Sequence, residues 1–343
     1  MTGDSRLEEK LEAFSARAKR IAPECDNEKT MRTISTVIAL IAALALAGCL
    51  GNGGGDEPML TKDHIDKVLS DPRVVRAKGI YERADTLLVP SVYLDASFSS
   101  EGVTEREQVA VSGDCSGTRC TLSGEGLRGS ITLEDLLTED LIVPTDTTLT
   151  KADLGEREGF DTLAREGRSR IAEKVGSSST IAATASATHY GAWGQHGYAA
   201  VEIADGPFPG SLEGVPFSGS IKGAVSYAFG TVNPTNPTGP GSATWQGPVE
   251  APSTRTFKRY PGKATLTIPD LALPMVDAEI AVAGNDISAP AWKDMPLTQG
   301  TFTSGSVEGK DYLEGNFHGP KHEEAYGVFD TGAYVGAFGA MRQ

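Results

Sequence analysis

From about residue 186 onward, apolar and polar residues alternate in short runs. In 263–268 the apolar Ala264, Leu266 and Ile268 take the even positions, and Lys263, Thr265 and Thr267 the odd ones. Val276, Ala278, Ile280 and Val282 repeat this against Asp277 and Glu279, and Leu313, Gly315 and Phe317 repeat it against Glu314 and Asn316. Successive side chains of a strand point to opposite faces, so each run predicts a strand with one buried face. Leu266, Ile268, Val276, Ile280 and Phe317 are the residues expected to point inward. Further runs at 198–203, 224–229, 243–246, 299–303, 325–329 and 334–340 give eight or nine strands separated by turn residues. The expected unit is an antiparallel barrel or sandwich over 186–343. Eight strands close to a barrel whose interior is filled by side chains.

Upstream, over 59–185, the periodicity is mixed. Asp71-Pro72 offers an N-cap followed by proline at the first helical position. Val74, Val75, Ala77, Ile80, Tyr81 and Ala84 then share a helical face. Thr132-Leu133-Glu134-Asp135-Leu136-Leu137 has the form of a capped helix start, and Phe160, Leu163, Ala164, Ile171 and Val175 make a second helical stripe. Residues 89–94 and 109–111 read as short extended segments, and the Ser177-Ser178-Ser179-Thr180 run marks a boundary. The predicted class is therefore mainly β. A C-terminal eight-stranded antiparallel β-barrel is preceded by a smaller mixed α/β N-terminal region.

The longest apolar run lies elsewhere. Met31-Arg32 opens a nearly unbroken apolar stretch that ends in Leu46-Ala47-Gly48-Cys49. A basic start, an apolar middle and small residues before the cut are what an export signal requires, and a cysteine at the new terminus supplies a thiol for acylation. The motif resembles a bacterial lipobox and makes Cys49 the expected lipid-attachment site, with 31–48 as signal. The run is shorter than the roughly 20 apolar residues a spanning helix needs. Gly51-Asn52-Gly53-Gly54-Gly55 follows at once, so 49–58 reads as a glycine-rich tether. Residues 1–30, with Leu7, Leu11, Phe14 and Ala18 spaced helically among charges, are expected to be either a start placed too early or a cytoplasmic extension.

Composition sharpens this picture in two ways. The net charge is −15 over 343 residues, and no basic stripe is visible, so a nucleic-acid partner is not expected. Residues 1–48 carry seven Lys/Arg and seven Asp/Glu, so the exported part holds all of that charge. The second refinement concerns cysteine. Export leads to an oxidising compartment, where Cys115 and Cys120, flanking a glycine-containing turn, are expected to form a local disulfide. Closing so short a loop contributes about 2 kcal/mol in the chain-entropy account.

The end of the chain carries a likeness. Gly315-Asn316-Phe317-His318-Gly319-Pro320-Lys321-His322-Glu323-Glu324-Ala325-Tyr326-Gly327-Val328-Phe329 leads to Val335-Gly336-Ala337-Phe338-Gly339-Ala340-Met341-Arg342. This resembles the last strands of the transferrin-binding protein B-like barrel family, with Ala325-Tyr326 where relatives carry a small glycine pair. Ala243-Thr244-Trp245-Gln246-Gly247 and Lys263-Ala264-Thr265-Leu266-Thr267-Ile268 are similar to its earlier strands. The resemblance covers roughly 190–343. It implies an eight-stranded barrel on a surface or outer-membrane lipoprotein, whose relatives bind host proteins or have no known ligand.

Side chains that carry chemistry are few. His318 and His322, beside Glu323 and Glu324, are separated by Gly319-Pro320, which denies them the helical spacing of a zinc motif; they read as a turn with solvated side chains. His189 and His196 around Trp193 read as barrel packing with polar tips at the rim. No nucleophile elbow is present, so no catalytic residue, cofactor or metal is expected. Arg255, Phe257, Lys258, Arg259 and Tyr260 form the one basic, aromatic stretch of an acidic region, a candidate loop for meeting a protein partner. Asn233-Pro234-Thr235-Asn236-Pro237-Thr238-Gly239-Pro240 reads as a second exposed loop. The expected function is an outer-membrane or surface-anchored lipoprotein presenting a binding module, not an enzyme; the alternative is a structural or assembly lipoprotein of the envelope. A membrane-spanning barrel is disfavoured, since its strands need about 9–11 residues and an outward apolar band.

Overall fold

The computed structural model describes residues 60–100, 103–124, 127–136, 149–175, 179–207, 210–212, 215–282, 291–305 and 311–343. The expected 1–30 extension, 31–48 signal, lipid-attachment residue Cys49 and 49–58 tether lie outside the described residues.

Two helices open the described chain. Thr61 caps α1 (Lys62–Leu69) through its hydroxyl, which accepts from the His64 N–H at 3.3 Å, and the helix buries Ile65 and Val68. Asp71 caps α2 (Pro72–Arg83), which begins on the proline read from sequence and buries Val74, Ala77 and Ile80. Val75 departs from the expected face and is 57% exposed. The expected helix at 132 is a single turn, α3 (Leu133–Leu136).

The second helical stripe is a strand instead. β7 (Phe160–Val175) pairs along its length with β8 (Ser179–Trp193). At its start both faces of this strand are covered: Phe160 packs with barrel residues, while Leu163 joins the core under the helices. Residues three apart share a face of a helix but lie on opposite faces of a strand, so a strand buried on both sides imitates a helical stripe.

β7 and β8 belong to a large antiparallel sheet. Its path runs from β5 (Leu127–Thr132) through β4 (Arg119–Gly124), β3 (Val103–Ser116) and β2 (Ser91–Ser100) to β11 (Val215–Gly230). It continues through β9 (Gly197–Pro207) to β8, β7 and β6 (Leu149–Arg157). β1 (Thr86–Leu88) pairs one end of β11, and β10 (Gly210–Leu212) joins β11 to β8 beyond the end of β9. Leu122 and Ile131 from one side of the sheet share a buried cluster with Ala152 and Leu163 from the other, and with the helices. The sheet therefore curls around α1 and α2.

The remaining strands close into an eight-stranded antiparallel barrel: β12 (Ala243–Pro252), β13 (Arg259–Ile268), β14 (Met275–Val282), β15 (Ala291–Thr298), β16 (Thr301–Ser304), β17 (Tyr312–His318), β18 (Glu324–Asp330) and β19 (Val335–Arg342). Leu266, Ile268, Val276, Ile280 and Phe317 all lie in its fully buried interior, as the alternation predicts. The barrel begins at Ala243, not near 186. The strands expected at 198–203 and 224–229 pair within the curled sheet. Alternation reports that a strand has a buried face; it carries no information on which sheet supplies the partner.

The sheet and barrel pack face to face. Ala192, Ala199, Val201 and Ala228 of the sheet meet Tyr326, Val328 and Ala337 on the outside of β18 and β19. Inward, the same two strands contribute Ala325, Phe329, Phe338 and Ala340 to the barrel core. Close approach demands glycine at Gly197, where an added Cβ would lie 2.3 Å from the Tyr326 ring.

Candidate functional site

The basic stretch lies on the β12–β13 connection, at the end of the barrel opposite the inter-lobe linker at 231–242. The turn is tightly made. Ser253 and Lys258 pair through the Ser253 N–H and the Lys258 carbonyl at 2.9 Å, and the Phe257 N–H donates back to the Ser253 carbonyl at 2.8 Å. The Ser253 hydroxyl accepts from the Arg255 and Thr256 N–H groups at 3.3 Å. Phe257, with φ 57°, turns inward and packs on Ala224 and Val335, flanked by Tyr93 and Ile203.

Two of the five candidate partner-contacting residues are therefore used internally, against expectation. Phe257 is buried between sheet and barrel. Arg259 makes two bonds to Glu250, Nε to Oε2 at 2.6 Å and Nη2 to Oε1 at 2.8 Å, and its guanidinium lies 3.9 Å from the Tyr190 ring. Glu250 also accepts from Arg157 of β6 at 2.9 Å, so one carboxylate ties the edge strand of the sheet to the barrel. Tyr260 packs edge-on against Tyr334 at 5.7 Å. Arg255 and Lys258 remain exposed, with the Lys258 ammonium 5.5 Å from the Tyr260 ring centroid.

The His189 group lies in the curled sheet, not in the barrel, and it is buried instead of rimming a surface. His189, Glu202, Tyr198 and Tyr227 sit on the helix-facing side of β8, β9 and β11. Glu202 Oε1 accepts from Arg165 Nη2 at 3.1 Å, from His189 Nδ1 at 3.0 Å and from the Tyr227 hydroxyl at 3.3 Å. A carboxylate only accepts, so His189 carries its proton on Nδ1 and receives the Tyr198 hydroxyl at Nε2, 2.7 Å away. Burial holds the His189 pKa below its usual value, and the Arg165 charge adds to this. Burial raises the Glu202 pKa, but the His189 bond and Arg165 outweigh it and keep the carboxylate ionised. The carboxylate–imidazole–phenol chain has no open end: Tyr198 is fully buried between Trp193 and Phe229, at ring separations of 5.4 and 5.0 Å. Its work is to hold four strands in register.

His318 and His322 are likewise buried, where solvated side chains were expected. His318 donates from Nδ1 to the Thr231 carbonyl at 2.8 Å, and His322 donates from Nε2 to the Thr235 carbonyl at 2.8 Å. Asn233 donates to the Gly319 carbonyl at 2.8 Å, so the linker between the lobes is pinned to the barrel end at three points. Burial pushes the His318 pKa down to about 4. Among the described residues no group of three or more His, Cys, Asp or Glu is arranged to hold a metal ion.

Cys115 and Cys120 are a register pair across the β3–β4 hairpin and are joined by a disulfide, with Gly117 in the left-handed conformation at the turn. Sequence reasoning missed the buried carboxylates that fasten the lobes. Glu324 accepts from the Gln195 and His196 N–H groups at 2.8 and 3.0 Å and from the Tyr326 hydroxyl at 2.8 Å, gripping the β8–β9 turn. Asp330 accepts from the Tyr93 hydroxyl at 2.9 Å. A signal for such groups was present: Glu202 and Glu250 each interrupt an otherwise apolar stretch.

No family model and no curated protein matches the chain. Among solved structures it is similar to intact Ap-TbpB with its N and C lobes: 14% identity over 73% of this chain and 46% of that one, TM-score 0.28. The isotype 1 transferrin-binding protein B from serogroup B Neisseria meningitidis gives 12% identity over 73% of this chain and 43% of that one, TM-score 0.29. A DUF3598-family protein of unknown function from Nostoc punctiforme gives 9% over 78% and 97%, TM-score 0.22. The chain thus spans less than half the length of both TbpB structures. Likenesses of this depth assign neither family nor ligand, and the architecture rests on the chain's own strand pairing.

Proposed function

We propose that the protein is a cell-envelope lipoprotein, anchored by an acyl group on Cys49, that presents the curled sheet and barrel as a module for binding a protein ligand rather than for catalysis. The observation that carries this reading is the apolar run ending in Leu46-Ala47-Gly48-Cys49 ahead of a glycine-rich segment. The folded module starts directly after that segment: the Leu60 N–H donates to the Leu149 carbonyl at 2.9 Å and α1 follows. Ten residues lie between Cys49 and Leu60, a reach of at most about 40 Å when extended. The Cys115–Cys120 disulfide suits an oxidising compartment. The family-like closing motif of β18 and β19 supports placement on the outer membrane or cell surface.

Metabolic labelling with a fatty acid tests the anchor. Wild-type protein should incorporate label and fractionate with membranes, and Cys49→Ser should do neither; equal labelling of both rejects the anchor. Cross-linking on intact cells followed by mass spectrometry tests the module. One saturable protein partner supports it, and envelope components alone favour the structural alternative.

A further inference from the structure

The curled sheet continues past the barrel. Contact between the two ends at the row Tyr93, Ala224 and Ile203, on which Phe257 rests. Residues two positions further along each strand share the same face, which places Asp95, Lys222, Asp205 and Ser186 in the next row and Ser97, Ser220 and Pro207 in the one after. From β3, Gln108 and Arg106 extend these two rows. The result is a polar shelf. Lys222, Asp205, Ser186, Ser220, Gln108 and Arg106 are all exposed, and the loop 253–258 rises at its inner edge.

Charges on the shelf are largely internally matched. Arg106 engages Asp95 through Nε at 2.7 Å and through Nη2, Lys222 meets Asp205 at 2.9 Å, and the Ser97 and Ser220 hydroxyls bond at 2.9 Å. The wall is different. Arg255 and Lys258 flank the buried Phe257, are exposed, and have no ion-pair partner among the described residues. Glu250 cannot serve them, because Arg157 and Arg259 already share it. A chain of net charge −15 thus sets two unmatched cations at the inner edge of a hydroxyl- and amide-bearing platform.

Resting on the binding-module reading above, we propose that this corner docks an extended, carboxylate-rich segment of a protein partner. The partner's acidic side chains pair with Arg255 and Lys258, and its backbone lies along the Ser220, Ser97 and Gln108 side chains. Phe257 pre-organises part of this recognition: its burial and the Ser253 hydrogen bonds fix the loop backbone that carries the two cations, which lowers the ordering cost of binding. Charge complementarity selects an acidic partner and speeds its encounter.

Fluorescence anisotropy of the full-length, detergent-solubilised protein with a fluorescein-labelled decaglutamate peptide at low salt tests the proposal. Saturable binding is expected, weakened about tenfold or more by Arg255→Glu/Lys258→Glu and weakened by added salt. The double variant Lys62→Glu/Lys67→Glu changes net charge equally on exposed positions of α1 and should bind as wild type does. Absence of saturable binding, or equal loss in both double variants, overturns the proposal. So does tighter binding of a sulfated heparin oligosaccharide than of the peptide, or self-association in sedimentation velocity that the Arg255/Lys258 reversal abolishes. Thermal unfolding of Arg255→Gln/Lys258→Gln should match wild type, which keeps loss of binding separate from loss of fold. If cell-surface cross-linking still captures a partner while decaglutamate does not bind, the module reading stands and this site falls.

Discussion

The two sides of the barrel bury their residues by different rules. On the far side, β13 and β14 alternate: Leu266, Ile268, Val276 and Ile280 are inside, while Glu279 is exposed. On the near side, every residue of β18 is buried, because Ala325 and Phe329 fill the barrel while Tyr326 and Val328 meet the sheet. One face of β14 is wet and no face of β18 is. A period of two is therefore a record of one-sided solvation, and it fades where a second layer covers the strand.

The comparison makes a sharp mutational prediction. Ile280→Asp places a carboxylate among apolar side chains and should destabilise by about 3 kcal/mol or more, measured by chemical denaturation. On a simple barrel, Val328→Asp on the outer face would be nearly neutral. Here it should cost about as much as Ile280→Asp, since Val328 is as deeply buried. A small effect for Val328→Asp would mean that the sheet does not cover this face.

Next in size is the response to acid. The unfolded chain protonates His318 near 6.5, whereas the folded protein does so only near 4, because burial disfavours the imidazolium. The unfolded state thus binds more protons between these values. Stability is full above 6.5 and is lost as pH falls toward 4, by up to about 3 kcal/mol from this group. The His318→Asn variant should show a flatter pH profile over that window than wild type, and superimposable slopes would remove His318 from the account.

Smaller effects are expected at the edges of the contact. Tyr93→Phe strips Asp330 of its hydroxyl donor across the two lobes and should cost about 1–2 kcal/mol by thermal melt. Glu279→Lys, one residue from Ile280 but on the wet face, should shift stability by no more than about 0.5 kcal/mol. If Glu279→Lys and Ile280→Asp prove equal, the strand faces are reversed.

What was legible in the sequence follows the same division. The five inward barrel residues, the capped helix at Asp71-Pro72 and the Cys115–Cys120 pair were all readable, because each depends on local spacing or on one-sided burial. The strand at Phe160 was read as helix because its two apolar faces serve two different layers. The start of the barrel was misplaced because 198–203 and 224–229 read as strands like those that follow, while β11 pairs with β2, more than a hundred residues upstream of 224–229. Of the basic loop, Arg255 and Lys258 kept the exposed character expected of them. Phe257 and Arg259 did not, since their partners, Ala224 and Glu250, are brought to them only by the packing of the two lobes.

The closing strand also sets an order of assembly. β19 follows every strand it touches in the chain, yet it completes the barrel by pairing with β12 and covers the sheet through Ala337. A ribosome releasing the chain from its N-terminal side delivers β19 after all of these partners. Until Val335–Arg342 emerge, β12 and β18 each present a row of unpaired backbone groups, and part of the apolar face of the sheet stands open to water. The nascent molecule is thus most prone to wrong pairing before β19 emerges, and any holding factor it meets has those two strand borders to protect.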